Sequence, residues 1–166
     1  SYAYQRGEGG IAAALALAKE FAQGEKLCIV LGDNIIERNI KKAVADFEKQ
    51  EVGAKILLKE VADPERFGVA TLEGDKVLRI VEKPSQPESD LAVIGIYMFD
   101  SQVFEIIEGL DPSERGELEI TDVNNAYIAA GTMSSEVLEG WWTDAGTFDS
   151  LMSASKLVAA GGANKV

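Results

Sequence analysis

The chain has 166 residues, 46% of them hydrophobic and 27% charged, a size and balance that let one globular unit bury its apolar surface without disulfides and that exclude disordered and collagen-like chains. Its 28 acidic residues outnumber 16 basic ones for a net charge of -12, which repels nucleic acid and anionic lipid and argues against either partner. Histidine is absent, so Ser-His and Cys-His catalysis and histidine metal ligation drop out together, and any chemistry falls to carboxylates, a hard metal ion, lysine and arginine.

In chain order, Ser1-Tyr2-Ala3-Tyr4 has neither the basic start nor the apolar core of a secretion signal, and no later apolar run reaches the ~18 residues of a membrane span. A cytoplasmic protein is expected. Tyr2 to Gln5 reads as a short extended segment, followed by a glycine-rich turn and a helix with Ile11, Leu15, Ala18 and Phe21 at helical spacing, closed near Gly24. Leu27 to Leu31 is continuously apolar, as in a strand covered on both faces, and places the lone Cys28 in the core. A helix capped by Asn39 follows, with Ile40, Val44 and Phe47 on one face.

Lys55 to Val61 predicts a strand, and Val69 to Leu72 with Val77 to Val81 a hairpin turned at Glu73-Gly74-Asp75. Ser85 to Asp90 is a polar loop between Pro84 and the apolar strand Ala92 to Phe99. Helices are expected around Gln102 to Ile107 and from Thr121-Asp122, then a strand near Val137. A last helix should carry Phe148, Leu151, Met152 and Ser155 inward, before a frayed tail from Gly161. Alternating strand and helix periodicities mark an α/β domain.

In open α/β sheets, ligands bind beyond the carboxyl ends of strands. Asp33, the pair Glu82-Lys83, and Asp144 all fall at such ends. Asp33 and Asp144 together suit one Mg²⁺ that keeps positions for water and substrate phosphate. Each cluster also has a plainer reading. Gly32-Asp33-Asn34 is an ordinary turn, Glu82-Lys83-Pro84 a solvated hairpin end, and Trp141-Trp142 either core packing or a stacking platform. Gly7-Glu8-Gly9-Gly10 lacks dinucleotide-fingerprint spacing and indicates only a tight turn or a close backbone approach.

Taken together and in order, Gly9-Gly10-Ile11-Ala12, Leu31-Gly32-Asp33-Asn34-Ile35, Phe67-Gly68-Val69, Val81-Glu82-Lys83-Pro84, Ala92-Val93-Ile94-Gly95-Ile96-Tyr97, Arg115 to Asp122 and Gly140 to Thr147 resemble the sugar-phosphate nucleotidyltransferases, and among them the glucose-1-phosphate thymidylyltransferases. The resemblance implies an α/β, Rossmann-like nucleotidyltransferase fold with a mixed central sheet flanked by helices, here incomplete: a single domain over 1–166, truncated at its N-terminus relative to the family. It implies transfer of a thymidylyl group from dTTP to glucose 1-phosphate for dTDP-sugar synthesis. Asp33 and Asp144 would be the Mg²⁺ ligands. Gln5 and Gly10 would face the base, Gly68, Glu82, Val93 and Tyr97 would line the glucose pocket, and Lys83 and Arg115 would hold the sugar phosphate.

Two departures from the family pattern stand out. Ala13 occupies a position where the family commonly has glutamine, and the family's first strand and Gly-rich phosphate-gripping loop have no counterpart. The chain alone is therefore expected to be inactive, with a catalytically silent sugar-phosphate-binding or interaction domain as the alternative. The absent strands would lie between Leu27 to Leu31 and an edge strand formed by Tyr2 to Gln5. An exposed strand edge follows, to be covered by a homo-oligomer or a complementing N-terminal chain.

Overall fold

The computed structural model describes residues 1–165. Its main sheet runs β5-β4-β6-β3-β7, with β1 joined to β6 beside β4. The strands are β1 (Leu27–Val30), β3 (Ala54–Glu60), β4 (Gly68–Glu73), β5 (Lys76–Glu82), β6 (Leu91–Phe99) and β7 (Met133–Val137). Only β3 and β7 pair in parallel, so the sheet is mixed. A second, two-stranded sheet joins β2 (Asn34–Ile36) to β8 (Trp142–Asp144).

Strand alternation divides the core. Ala54, Ile56 and Leu58 of β3 and Tyr97 and Phe99 of β6 face helices α1 (Gly10–Ala16), α2 (Lys19–Ala22), α4 (Val103–Glu108) and α5 (Ile120–Ala129). Leu57, Ile94, Ile96 and Met98 point the other way, onto Ala43 and Phe47 of α3 (Lys41–Lys49). At one end of the sheet Asp100 is buried. Its carboxylate accepts from the Tyr127 hydroxyl at 2.8 Å, the Gln102 amide at 3.0 Å and the Gly53 amide at 2.5 Å. Burial, followed by the Asp100 contact, raises the Tyr127 pKa.

Several expectations change. The N-terminal helix breaks into α1 and α2, and Phe21 is exposed. Tyr2 to Gln5 forms no strand, and Tyr2 and Tyr4 are exposed. The outward face of β1 is uncovered, so Cys28 and Val30 are exposed while Leu27 and Ile29 pack inward. The helix over Lys41–Lys49 has Ile40, not Asn39, at its N-cap and no side-chain cap there; Asn39 stands one residue earlier, its Oδ1 accepting from the Lys41 amide at 3.0 Å. Helix α6 (Phe148–Gly161) starts at the Thr147/Ser150 capping box and buries Ala154. Phe148, Leu151, Met152 and Ser155 face outward instead of inward. Through Lys165 the tail docks rather than fraying: the Asn164 and Lys165 amides donate to the Ile36 and Glu37 carbonyls, and Lys165 Nζ pairs with Glu37 at 2.9 Å, while Val166 lies outside the described residues.

Candidate functional site

A cavity of about 170 Å³ opens where β4, β5, β6, α5 and the small sheet meet. Asp33 and Asp144 reach its rim because β2 and β8 pair, with Asn34 opposite Asp144 and the Ala145 amide donating to the Asp33 carbonyl at 2.7 Å. Asn34 ties this rim to the main sheet. Its Oδ1 accepts from the Gly95 amide at 2.9 Å and from Trp142 Nε1 at 2.8 Å, while its Nδ2 donates to Asp33 Oδ1 at 2.8 Å. The close approach requires glycine in β6: a Cβ on Gly95 would stand 2.3 Å from Asn34 Nδ2.

The opposite wall comes from the β4–β5 hairpin and α5. Gly68 pairs with Glu82 in register, and Glu82 Oε2 accepts from the Thr121 hydroxyl at 2.7 Å. Lys83 follows in left-handed backbone at φ 42, its amide donating to the Phe67 carbonyl at 2.9 Å. That conformation is uncommon for a residue with a side chain, and here it ends the strand and turns the chain away from the hairpin. Val93 and Tyr97 complete the floor. Burial first, then the nearby Glu82 and Asp33 carboxylates, raise the Tyr97 pKa, so its hydroxyl stays protonated. Thus Asp33, Gly68, Glu82, Lys83, Val93, Tyr97 and Asp144 share one cavity.

Gln5, Gly10 and Arg115 do not line it. Gln5 Nε2 donates to the Gly10 carbonyl at 3.1 Å, and Gly10 sits at φ 87 where a Cβ would meet the Leu118 carbonyl oxygen at 2.5 Å. Their neighbour Ile11 does touch the cavity. Arg115 grips Glu119, its Nη2 lying 2.9 Å from both carboxylate oxygens. Burial opposes ionisation of Glu119, but hydrogen bonds from Ser113 and Arg115 outweigh it and lower its pKa.

Sequence reasoning passed over three side chains. Arg66 lines the cavity, hydrogen-bonded to Asp63 at 2.7 Å and stacked over Phe67 with 5.3 Å from its guanidinium carbon to the ring centroid. Phe67 in turn meets Trp142 edge to face at 5.3 Å between centroids. The second is Asn34 as a strap, and the third is Asn124, whose buried Oδ1 has no partner. Leaving a buried acceptor unpaired costs about 1–3 kcal/mol.

By side-chain count the cavity carries three carboxylates (Asp33, Glu82, Asp144) against two cations (Arg66, Lys83). Among the described residues no three His, Cys, Asp or Glu side chains cluster as a metal site, and no helix is long and apolar enough to cross a membrane. Two carboxylates, Asp33 and Asp144, on one rim are nonetheless a donor pair of the kind a hard divalent cation takes, completing its shell with water and other oxygen ligands.

Residues 1–161 match the family described as nucleotidyl transferase, and the chain belongs to that family. It is 40% identical over 160 residues to a low-salt glycan biosynthesis nucleotidyltransferase of Haloferax volcanii, covering 95% of this chain and 45% of the relative. It is also 40% identical over 166 residues to the glucose-1-phosphate thymidylyltransferase of Neisseria meningitidis, covering 95% and 56%. A Bacillus anthracis crystal structure, assigned as a glucose-1-phosphate thymidylyltransferase in complex with sucrose, superposes with a TM-score of 0.90 at 49% identity, covering 95% of this chain and 64% of that one. A UDP-glucose pyrophosphorylase complexed with UDP-glucose gives a TM-score of 0.85 at 25% identity, covering 96% and 66%. The chain thus spans about half the length of the curated relatives it matches.

Proposed function

We propose that the chain carries the sugar-phosphate site of a glucose-1-phosphate thymidylyltransferase, which converts dTTP and glucose 1-phosphate to dTDP-glucose and pyrophosphate. The observation that supports this most is the convergence of Asp33, Glu82, Lys83, Tyr97 and Asp144 on one cavity. Glu82, steadied by Thr121, accepts hydrogen bonds from sugar hydroxyls, while Lys83 and Arg66 draw the phosphate to the cationic side. A phosphate oxygen of glucose 1-phosphate is already ionised at neutral pH and needs no general base. Held in line, it forms a bond to the α-phosphorus of dTTP as the bond to pyrophosphate breaks, so positioning and charge stabilisation supply the rate. Asp33 and Asp144 would hold Mg²⁺, which when bound offsets the phosphate charge. Arg115 pairs with Glu119 and does not line the cavity, so it has no part in this reading of the site.

The two cations of the cavity, Lys83 and Arg66, are both taken by the sugar phosphate and leave none for a triphosphate, so this chain alone is expected to bind glucose 1-phosphate without turning it over. A sugar-phosphate-binding module with no catalytic role is the second reading, and the same shortage of cations for a triphosphate favours it. Assays with dTTP, glucose 1-phosphate and Mg²⁺, with and without an added N-terminal fragment of a relative, separate the two. Turnover restored by the fragment supports the enzyme, and binding that never becomes turnover supports the module. Turnover by the chain alone at an ordinary rate would contradict the charge argument.

The second edge of β1, with Cys28 and Val30 exposed beside it, is a template for another strand. We expect a second copy or a complementing chain to cover it. A strict monomer by light scattering at high concentration, with β1 amides protected from exchange, would count against this.

A further inference from the structure

Among the described residues, buried polar side chains find partners, with one exception. Asp100 accepts three hydrogen bonds, buried Lys55 pairs with Glu136 at 2.8 Å, and the half-buried Asn125 both accepts from the Ile80 amide and donates to its carbonyl, at 3.0 and 2.9 Å. Among the described residues, Asn124 Oδ1 alone is buried with no partner, in a residue 1% exposed. Such an orphan asks for an explanation. Its position supplies one. Asn124 lies one helical turn after Thr121 on the buried face of α5, and both line the cavity with Glu82 and Tyr97. Thr121 spends its hydroxyl proton on Glu82, leaving Asn124 without that donor.

We propose that Asn124 is a sugar-reading residue: its Oδ1 accepts a hydrogen bond from one hydroxyl of the bound sugar phosphate. This rests on the sugar-phosphate reading of the cavity. The chemistry selects the hydroxyl over the phosphate, because an ionised phosphate has only acceptors and a carboxamide oxygen needs a donor. Glu82 is an acceptor too, so the α5 side of the cavity receives the polyol and the Lys83–Arg66 side receives the phosphate. The terminal torsion of asparagine is broad, which lets the carboxamide turn its oxygen toward an arriving ligand. The unpaired acceptor is then one that the correct sugar satisfies and a deoxy analogue does not, which is a source of discrimination.

The test is calorimetric titration of wild type and Asn124→Leu with glucose 1-phosphate and its 2-, 3-, 4- and 6-deoxy analogues. Leucine removes the polar atoms at similar volume, so the variant should melt at or above the wild-type temperature. It should bind glucose 1-phosphate about three- to tenfold more weakly. One analogue, already weaker for wild type, should lose nothing further in the variant. Equal weakening across all five ligands, or unchanged glucose 1-phosphate affinity, overturns the proposal and leaves the sugar-phosphate reading standing. No binding by wild type overturns both. Should Asn124→Leu fail to fold, the side-chain carboxamide resonances of wild-type Asn124 decide. They should shift on saturation with glucose 1-phosphate but not with inorganic phosphate, and the absence of that difference overturns the proposal.

Discussion

The cavity wall and helix α6 both carry large apolar side chains, yet one is embedded and the other lies open. Around the cavity, β4 and β6 are paired on both edges, and Asn34 links β6, β8 and the Asp33 carboxylate through three hydrogen bonds. Helix α6 has a sound start in its capping box but buries only Ala154, leaving Phe148 and Met152 exposed. Local signals make a helix, and only a covering surface makes it part of the core. The outward face of β1 teaches the same lesson, since Leu27 and Ile29 are packed and Cys28 and Val30 are not.

The contrast can be broken at its strongest point first. Asp100→Ala strands the Tyr127 hydroxyl and the Gly53 amide, and should cost about 3 kcal/mol in urea unfolding. A cost under about 1 kcal/mol would mean that water repairs the site. Gly95→Ala forces Asn34 off β6 and should cost about 1–3 kcal/mol, with Trp142 fluorescence changing as its Nε1 loses its acceptor. Thr147→Ala removes the cap of α6 and should weaken that helix by about 1 kcal/mol. The loss should appear as faster hydrogen exchange within Phe148–Gly161 and not in β3 or β6. The double change Leu151→Ser with Met152→Ser should alter global stability by no more than about 0.5 kcal/mol. A loss several times larger would show that this face is covered in solution.

Much of the fold was legible because β3, β6 and the β4–β5 hairpin announce themselves by apolar runs and a glycine turn. The small sheet was not. Its strands have three residues each, too short for a periodic signal, and Trp142 meets Asn34 across 108 positions. That pairing is what brings Asp33 to Asp144; their strand-end positions and the family resemblance both marked the two carboxylates, but neither disclosed the small sheet that joins them. The stripe in α6 and the run at Leu27 to Leu31 were misread for one reason: apolar spacing says which residues share a face, and not whether anything covers it. Asn124 gave no sequence signal, because an orphaned acceptor is defined by its surroundings.

The central claim, that Glu82 and its neighbours hold a sugar phosphate with the hydroxyls toward α5, is tested most directly by titrating wild type and Glu82→Gln with glucose 1-phosphate and with inorganic phosphate. Wild type should bind glucose 1-phosphate, Glu82→Gln should bind it about tenfold more weakly, and inorganic phosphate should not bind the variant any less tightly. Equal glucose 1-phosphate affinity in the two proteins, or a parallel loss of inorganic phosphate binding, would contradict the account.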